Sequence, residues 1–462
     1  MPAMKIAIIG AGSASFGPNT LATIMREPDL QGSEIALIDQ DEAILEIIVK
    51  VAERMNKEWG ARMNVRAGTD RRGLLSGSDF VIVSIESGPR EKLWQLDWEI
   101  PVRHGLRQPY AENGGPGGLM HACRQIPEFM NIARDMEQLC PESWLINYSN
   151  PLPRITRALT KYSKIKVAGK CHQINAGYAL LASLLRSHID EGIQERESSD
   201  LFPDSDPFDL VVDLGRQHIE ILSAGLNHFI WLLEIWDKQT GEDLYPILRE
   251  VAKKATQSNQ PLTMDLFRVF GYCPLAGDAH LSEYLPWMHD PVAHPWKKYD
   301  ISLYDWAGSE EARTALIDQM AKLSSGADSL AKLRRSRSEG AVELIKAIGL
   351  NDLYYDEAVN IPNNGSMAWL PDDTVVEIPA MVDGSGIRGL QIDNLPGPIG
   401  ELMRREANLV EVVVDAAVTG DKQLALQALL LDPMINDIDR GRAILDDYLQ
   451  SFAPYLPQFE GS

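Results

Sequence analysis

The chain has 462 residues, of which 45% are hydrophobic and 24% are charged. This length predicts two domains, and this balance excludes a disordered chain. The formal net charge of −22 excludes the clustered basic surface that nucleic-acid binding needs, so we expect no nucleic-acid partner.

The cysteines and the apolar runs indicate a cytoplasmic protein. The four cysteines form no CxxC pair, which in a chain of this length is typical of reduced thiols. The apolar run at residues 4–9 leads straight into a glycine turn and lacks the layout of a signal peptide. No stretch approaches about 18 uninterrupted apolar residues, so we expect no membrane span.

The chain begins with a pattern typical of a dinucleotide-binding fold. Residues 4–9 and 34–39 predict two buried strands, with a glycine turn and a helical stretch between them. Gly10 permits the tight turn, and Gly12 lets the backbone approach a pyrophosphate at the helix N-terminus. Asp39 ends the second strand, where a carboxylate holds the adenosine ribose and favours NAD over NADP. The predicted cofactor-binding residues are Gly10, Gly12, Ser13, Phe16 and Asp39.

The glycine turn departs from the common fingerprint at one position. Ser15 stands where a third glycine is usual, so we expect slightly different packing between helix and strand. A turn whose glycines serve packing alone is the alternative interpretation.

The alternation of strands and helices continues. Strands are predicted at residues 78–84, 144–148 and 165–169, and a helix at residues 126–139. Residues 110–118 contain four glycines and a proline within their last five positions, which predicts a loop. This loop is interpreted either as part of a ligand site or as a surface connector.

Polar residues follow two of these strands. Asn150 comes shortly after the strand at 144–148, and Cys171 and His172 follow the strand at 165–169. Ligands bind outside the carboxyl ends of parallel strands in open α/β sheets. Asn150, Cys171 and His172 are therefore site candidates by position.

The second half predicts a mixture of strands and helices. Residues 211–214 and 219–222 read as paired strands, and residues 310–455 read as mostly helical with an interruption at 361–386. The fold class is therefore α/β, with an N-terminal Rossmann-like parallel sheet and a C-terminal mixed α+β domain that completes the active site. The polar, proline-bearing segment after residue 197 is taken as the seam between domains 1–197 and 198–462.

Two clusters in the second half carry chemically useful groups. Asn227 and His228 lie within an apolar run, and a buried polar pair must be hydrogen-bonded to offset desolvation. His228 is interpreted as a satisfied core histidine or, with Cys171, as a ligand of a divalent transition metal. Residues 277–287 include His280 and Tyr284, which could bind hydroxyl groups or move protons. Ordinary helix capping is the alternative for this segment.

Six motifs together resemble a known family. They are GAGSASFGP, INYSNPLP, GKCH, GLNHFIW, HLSEYLPW and VEIPAMVDGSG, within residues 4–450. In this order and at these separations they resemble the NAD- and manganese-dependent glycosidases of glycoside hydrolase family 4, an exception to the two-carboxylate mechanism. The resemblance implies a small carbohydrate substrate, the cofactors NAD and Mn²⁺, and a homodimer or homotetramer.

The resemblance also implies an unusual reaction. NAD⁺ takes a hydride from C3 of the sugar, and the resulting ketone acidifies the proton on C2. A divalent ion stabilises the enolate as a Lewis acid. A base removes the C2 proton, the aglycone is eliminated, water adds, and NADH returns the hydride. The cofactor is regenerated in every turnover.

The motifs assign roles to single residues by resemblance. Cys171 and His228 are the implied metal ligands, and Tyr284 stands where the family places its proton-abstracting tyrosine. A nearby metal must lower the pKa of this tyrosine, which is ordinarily about 10. His172 stands where phospho-glycosidases commonly carry an aspartate, so it is the positional choice for the general acid. The predicted substrate-binding residues are Asn150, Asn227 and His280.

The substrate class follows from the same comparison of motifs. The GPGG stretch and SEYLPW resemble the branch acting on unphosphorylated α-galactosides and α-linked uronic acids. A uronide carboxylate would need a basic partner, for which the candidates are Arg90, Arg124, Lys297 and Lys298. A 6-phospho-glycosidase of the same family is the first alternative.

Two alternatives lie outside this family. A 2-hydroxyacid dehydrogenase would pair a catalytic histidine with a carboxylate-binding arginine, need no metal and accumulate NADH. A non-catalytic NAD- or sugar-sensing module would not need Cys171, His228 and Tyr284 together.

Overall fold

The computed structural model describes residues 3–14, 16–189, 207–254, 260–290, 292–393 and 395–460. In its first half, strands and helices alternate, as a parallel sheet requires. The strands are β1 (Lys5–Ile9), β2 (Glu34–Ile38), β3 (Asn64–Gly68), β4 (Phe80–Val83), β5 (Trp144–Asn147) and β6 (Lys166–Gly169). The helices are α1 (Gly17–Met25), α2 (Glu42–Trp59), α3 (Arg71–Leu75), α4 (Arg90–Arg103), α5 (Gly115–Leu139), α6 (Leu152–Tyr162), α7 (Gln173–Leu184) and α8 (Arg186–Ile189).

The first six strands form a parallel sheet in the order 3-2-1-4-5-6, which is the strand order of the Rossmann fold. Side chains of β1 alternate between the two faces of this sheet. Ile6 and Ile8 join one buried cluster, whereas Ala7 and Ile9 join another. Both faces are thus covered, as a parallel sheet requires. The predicted α/β class with an N-terminal Rossmann-like sheet is confirmed.

The second half adds antiparallel strands and more helices. The strands are β7 (Ile219–Leu226), β8 (Phe229–Asp237), β9 (Cys273–Pro274), β10 (Tyr354–Pro362), β11 (Val375–Asp383) and β12 (Gly386–Gly389). The helices are α9 (Pro207–His218), α10 (Tyr245–Lys254), α11 (Pro261–Phe270), α12 (Asp278–Tyr284), α13 (Trp306–Ser325), α14 (Ala341–Leu350), α15 (Gly397–Thr419), α16 (Lys422–Leu431) and α17 (Ile438–Ser451).

One sheet of 12 strands joins the two halves of the chain. The parallel part continues through β6 into β10, β11, β7, β8 and β9, and β12 pairs with β11. The junction is antiparallel, with Asn360 of β10 opposite Gly169 of β6. Helix α15 packs on α5 and α6 of the first half. Helices α13 and α14 pack on α2 and α1, so the second half extends the Rossmann sheet and adds helices on both of its sides.

Residues 110–118 are only partly a loop, so this prediction was wrong for the glycine-rich end. Gly115–Gly118 form the first turn of α5, where a proline at the second helical position is favourable. A Cβ atom on Gly117 would lie 2.8 Å from the carbonyl oxygen of Asp97. These glycines therefore permit close helix packing, and α5 begins at 115 instead of the predicted 126.

The predicted strand at residues 211–214 was also wrong. These residues lie in α9, which packs on α7. A short apolar run cannot by itself distinguish a strand from the buried stripe of a helix. The predicted helical stretch at 310–455 is interrupted over a longer segment than the expected 361–386. Strands β10, β11 and β12 together span residues 354–389.

The boundary predicted between residues 197 and 198 lies outside the described residues, so the two-domain division stays a prediction. Within the described ranges, no helix has both the length and the apolar character needed to cross a bilayer.

Candidate active site

The glycine turn after β1 is shaped by close contacts. Gly10 has a φ of 81°, and a Cβ on it would lie 2.0 Å from the carbonyl oxygen of Ser84. A Cβ on Gly12 would lie 2.0 Å from Cγ2 of Ile44. Only glycine fits either position, which agrees with a backbone that turns tightly beneath a ligand.

Gly17 allows the start of α1 to approach the turn after β1 closely, which is the task of the third glycine in the common fingerprint. A Cβ on Gly17, the first residue of α1, would lie 2.2 Å from the carbonyl oxygen of Ala11. Ser15, for which different packing was expected, lies outside the described residues. The sequence carried a signal for Gly17, because GAGSASFG contains a glycine two positions beyond Ser15.

A large cleft lies along the carboxyl ends of the parallel strands. Its volume is about 1290 Å³, and it reaches from the glycine turn past Glu112 to Asn150. Asp39 lines this cleft and also braces the turn, because its Oδ2 accepts a hydrogen bond from the Gly12 amide at 2.8 Å. All five predicted cofactor residues line the cleft: Gly10, Gly12, Ser13, Phe16 and Asp39.

Cys171 and His228 come together although they lie on different elements. Cys171 follows β6, and His228 lies in the tight turn between β7 and β8. The Cys171 Sγ and His228 Nε2 atoms are 3.5 Å apart, and both side chains are buried. A thiolate and an imidazole this close form a donor set suited to a divalent transition metal.

His228 is held in a sparsely populated backbone conformation. Its φ is 61°, which non-glycine residues adopt uncommonly and which often marks a functional site. The amide of His228 donates to Oε1 of Gln173 at 2.7 Å, and Asn113 Nδ2 lies 2.9 Å from Nδ1 of its ring. Burial lowers the pKa of His228 well below its ordinary value, so the ring is neutral, as a ligand must be.

Asn227 and His280 lie beside this pair. Asn227 Nδ2 donates to Oε2 of Glu377 at 3.0 Å, while its own Oδ1 is buried with no partner among the described residues. The rings of His280 and His228 have centroids 4.2 Å apart. Ligand atoms of Glu112, His228 and His280 lie within 4.8 Å of one another, so Glu112 links the large cleft to this cluster.

His172 is oriented by a carboxylate that the sequence analysis did not identify. His172 Nδ1 lies 2.9 Å from Oε1 of the buried Glu339. The hydrogen bond to Glu339 and its charge raise the pKa of His172 above the ordinary value. The ring centroid of His172 is 6.2 Å from that of Phe16. His172 thus lies between the glycine turn and Cys171 and can hold a proton there.

Tyr284 lies at the end of α12, with its ring stacked on Phe229 at a centroid distance of 5.1 Å. Burial raises the pKa of Tyr284 well above its ordinary value, Glu406 and Glu283 raise it further, and Arg154 lowers it. A phenol in this setting needs additional positive charge nearby before it can act as a base.

A second, small cavity lies behind the site. Its lining includes Tyr284, Asn227, Asn113 and Arg154. Arg154 is 1% exposed and lies 3.7 Å from a carboxylate oxygen of Glu406. Asn150, which lines the large cleft, does not line this cavity. Of the predicted substrate residues, Asn150 therefore lines the large cleft and Asn227 lines the small cavity.

The basic residues considered for a uronide are mostly engaged elsewhere. Arg124 forms two hydrogen bonds, of 2.5 and 2.6 Å, with the buried carboxylate of Asp97. Lys298 pairs with Asp265 at 2.6 Å on an exposed part of the surface. Arg90 lines the large cleft and lies over the ring of Trp94.

Helix capping explains one polar residue near His280. Asp278 accepts hydrogen bonds from the amides of Leu262 and Thr263 and so caps the start of α11. Ser282 lies within α12 and donates to the carbonyl oxygen of Ala279 in the same helix. The capping interpretation therefore accounts for Asp278 only.

Five residues that contact Cys171, His172, Asn227 or His228 were absent from the sequence-based set. Four of them had a signal, because two lie in the stretch 110–118, one directly follows the GKCH motif and one lies in the VEIPAMVDGSG motif. The fifth, in the turn before α14, had none. They are Glu112, Asn113, Gln173, Glu377 and Glu339.

Two family models match the chain. One, for family 4 glycosyl hydrolases, matches residues 5–186, and the other, for their C-terminal domain, matches residues 223–435. The chain is 30% identical to an α-glucosidase of Erwinia rhapontici, with 98% of this chain and 99% of that protein aligned. It is also 30% identical to an α-galactosidase of Bacillus subtilis, with 99% and 100% aligned.

Solved structures share the fold. The Bacillus subtilis protein LplD superposes with a TM-score of 0.82 at 27% identity, covering 97% of this chain and 100% of that one. A 6-phospho-α-glucosidase from gut microorganisms, crystallised with NAD and Mn²⁺, superposes with a TM-score of 0.78 at 18% identity, covering 99% and 100%.

Proposed function

Because the chain belongs to glycosyl hydrolase family 4, we propose that it hydrolyses non-phosphorylated α-glycosides through NAD-dependent oxidation, elimination and water addition with a divalent metal. The observation that carries this proposal is the Cys171–His228 pair, which Glu112 connects to the large cleft. A simple hydride-transfer enzyme has no need of a buried thiol facing a neutral imidazole. The 6-phospho-α-glucosidase of similar fold was crystallised with NAD and Mn²⁺.

The residues of the large cleft fit NAD. Gly10 and Gly12 line the cleft at the tight turn where a pyrophosphate would bind, and Asp39 offers its carboxylate to the ribose hydroxyls. The bound nicotinamide supplies a hydride acceptor that is regenerated within each turnover. Phe16 and Ser13 close the same part of the cleft.

The donor set around Cys171 fits Mn²⁺ or a related divalent ion. Cys171 Sγ and His228 Nε2 would hold it, and Glu112 and Asn227 offer oxygen atoms nearby. When bound, the cation polarises substrate oxygens and favours loss of the adjacent C–H proton. Gln173 and Asn113 keep His228 in place for this task.

Two side chains of the protein are assigned the proton transfers. Tyr284 removes the proton from C2, and it is buried so that water does not compete for this step. His172, protonated and held by Glu339, donates a proton to the leaving oxygen. Asn150, Asn227 and His280 orient the sugar from the cleft and from the metal side.

The charge around the cleft favours an uncharged sugar. Each arginine lining it lies within 4.0 Å of a carboxylate oxygen: Arg71, Arg72, Arg90, Arg124 and Arg313. Paired guanidinium groups attract a phosphate or uronate weakly, so an α-galactoside or α-glucoside is the preferred substrate. A uronide is the second candidate, because the two terminal nitrogens of Arg154, which lies 3.7 Å from Glu406, make no hydrogen bond in the described structure.

The proposal is tested with para-nitrophenyl α-galactoside, α-glucoside and α-glucuronide, with and without NAD⁺, Mn²⁺ and dithiothreitol. We expect nitrophenol release that requires both NAD⁺ and Mn²⁺, with no steady accumulation of NADH. Release without NAD⁺ refutes the oxidation–elimination mechanism. Steady NADH formation indicates a dehydrogenase, and cleavage of phosphorylated substrates alone indicates a 6-phospho-glycosidase.

Assembly and location are proposed on the same basis. We expect a homodimer or homotetramer in the cytoplasm, without a membrane or nucleic-acid partner. Light scattering coupled to size-exclusion chromatography measures the mass in solution, and a monomer would contradict the first expectation.

A further inference from the structure

Two polar side chains lie in the middle of the sheet, where apolar residues are usual. Asn360 of β10 pairs with Glu377 of β11, and these residues are 0% and 1% exposed. Their outer neighbours in register are Gly169 of β6 and Gly225 of β7. The row across four strands therefore reads Gly, Asn, Glu, Gly, and the glycines leave room beside the polar pair.

Glu377 reaches out of this row to Asn227. Its Oε2 accepts a hydrogen bond from Asn227 Nδ2 at 3.0 Å. In its ionised form the Glu377 carboxylate only accepts hydrogen bonds, so it holds the NH₂ end of the Asn227 amide toward itself. This contact orients the amide.

The same amide also faces the metal pair. The Asn227 side chain lies within hydrogen-bonding reach of Cys171, and Asn227 directly precedes His228. Its Oδ1 has no hydrogen-bond partner among the described residues, and the residue is 1% exposed. An amide whose NH₂ end is anchored and whose oxygen is free is prepared for a further ligand.

Structural stability does not explain this arrangement. A buried carboxylate in the middle of a sheet costs free energy unless it is well paired. The nearby ammonium group of Lys170 is already bound by both carboxylate oxygens of Asp356, at 2.7 and 2.8 Å. Polar partners behind metal ligands are, in contrast, common and functional.

We propose that Glu377 is a positioning residue of the metal site, which acts by holding the Asn227 amide against Cys171. This inference rests on the proposed function, since it presumes that Cys171 and His228 bind a divalent ion. Glu377 is 1% exposed and lines neither the large cleft nor the small cavity. Its contribution is the fixed orientation of the neighbouring amide.

The test measures metal binding without substrate or NAD⁺, using Mn²⁺ titrated into the purified full-length chain. Glu377→Gln keeps the size of the side chain, but its amide can accept or donate, so Asn227 loses its fixed orientation. We expect Mn²⁺ to bind about 10- to 100-fold more weakly, as is typical when an outer-shell partner is changed. The thiolate-to-metal absorption of the Co²⁺-loaded protein should change as well.

Glu357→Gln is the matched control. Glu357 lies on β10 in the same sheet, where it binds Tyr178 and Arg216 instead of the site. This variant should bind Mn²⁺ with the affinity of the unaltered chain. Thermal unfolding of both variants reports any general loss of stability separately.

A double-mutant cycle decides whether Glu377 acts through Asn227. In an Asn227→Ala background, Glu377→Gln should weaken Mn²⁺ binding no further. An unchanged affinity in Glu377→Gln, or an equal loss in both backgrounds, overturns the inference. If the unaltered chain binds no Mn²⁺, the proposed metal-dependent function is refuted. That outcome differs from one in which the unaltered chain binds Mn²⁺ and Glu377→Gln has no effect, which refutes only the role of Glu377.

Discussion

Cys171 Sγ lies 3.5 Å from His228 Nε2, although 57 positions separate the two residues along the chain. Cys171→Ser removes the soft thiolate from this pair. We expect Mn²⁺-dependent turnover to be lost and Mn²⁺ affinity to fall by more than the roughly 10- to 100-fold typical of outer-shell changes. Isothermal titration with Mn²⁺ measures the affinity.

Cys140→Ser is the control for this substitution. Cys140 is also buried, but it directly follows α5, and the groups that act on its thiol are Ser143 and Lys5 instead of residues of the site. It should retain turnover. A Cys171→Ser enzyme that remains fully active in EDTA would contradict the metal assignment.

Metal affinity should depend on pH. Burial raises the pKa of the Cys171 thiol well above its ordinary value, and Glu339 and Glu377 raise it further. The thiol is therefore protonated at neutral pH and must release a proton when it binds a cation. We expect affinity to rise with pH by up to about tenfold per unit, with proton release visible as buffer-dependent binding heat. An affinity independent of pH between 6 and 8 would count against Cys171 as a ligand.

Tyr284→Phe removes the proposed base and keeps its ring on Phe229. A positioned general base contributes about 10²- to 10⁴-fold, so kcat should fall by roughly that factor. Mn²⁺ and NAD⁺ binding should be unchanged, and solvent deuterium should no longer enter at C2. Tyr162→Phe, on the exposed end of α6, serves as the control. Full turnover in Tyr284→Phe would remove this assignment.

Glu339→Gln should shift the pH profile of turnover. Glu339 raises the pKa of His172 through its hydrogen bond and charge, so it stabilises the protonated ring. If protonated His172 is the acid, activity falls as pH rises through this pKa. Without the carboxylate the pKa drops, and the alkaline limb of kcat should move to lower pH. An unmoved alkaline limb would show that His172 does not supply the proton.

Asp39→Ala tests the cofactor assignment. The substitution removes a carboxylate from the cleft and a hydrogen bond from the Gly12 amide. We expect NAD⁺ to bind about tenfold more weakly, which corresponds to about 1.4 kcal/mol, and the preference over NADP⁺ to shrink. Fluorescence titration with NADH and NADPH measures both effects. A retained preference for the unphosphorylated cofactor would place the ribose elsewhere.

Much of the Rossmann half could be predicted from the sequence because its signals are local. The strand at residues 4–9, the turn at Gly10 and the acid at Asp39 follow one another within one βαβ unit. Buried parallel strands are continuous apolar runs, so β4, β5 and β6 lie within one or two residues of their predicted positions. The positions of Asn150 and Cys171 beyond these strands follow from the same rule.

The wrong predictions came from local sequence patterns whose structure is decided by contacts with other parts of the chain. Glycine and proline at 115–118 indicated a loop, but the backbone of Asp97 and of Asn113 packs against that turn, so only glycine permits the helix there. The apolar run at 211–214 indicated a strand, yet it faces α7. Neither contact is visible from local periodicity.

The sequence by itself determined the glycine turn, the acid that follows β2 and the presence of a thiol and an imidazole in recognisable motifs. Only the tertiary structure decided that Cys171 meets His228, that Glu339 meets His172 and that Glu377 reaches Asn227. The physical reason is the distance along the chain between the residues that determine each feature. Turn geometry and strand periodicity are set by neighbouring residues, whereas these contacts depend on how β10 and β11 insert between β6 and β7 in one sheet.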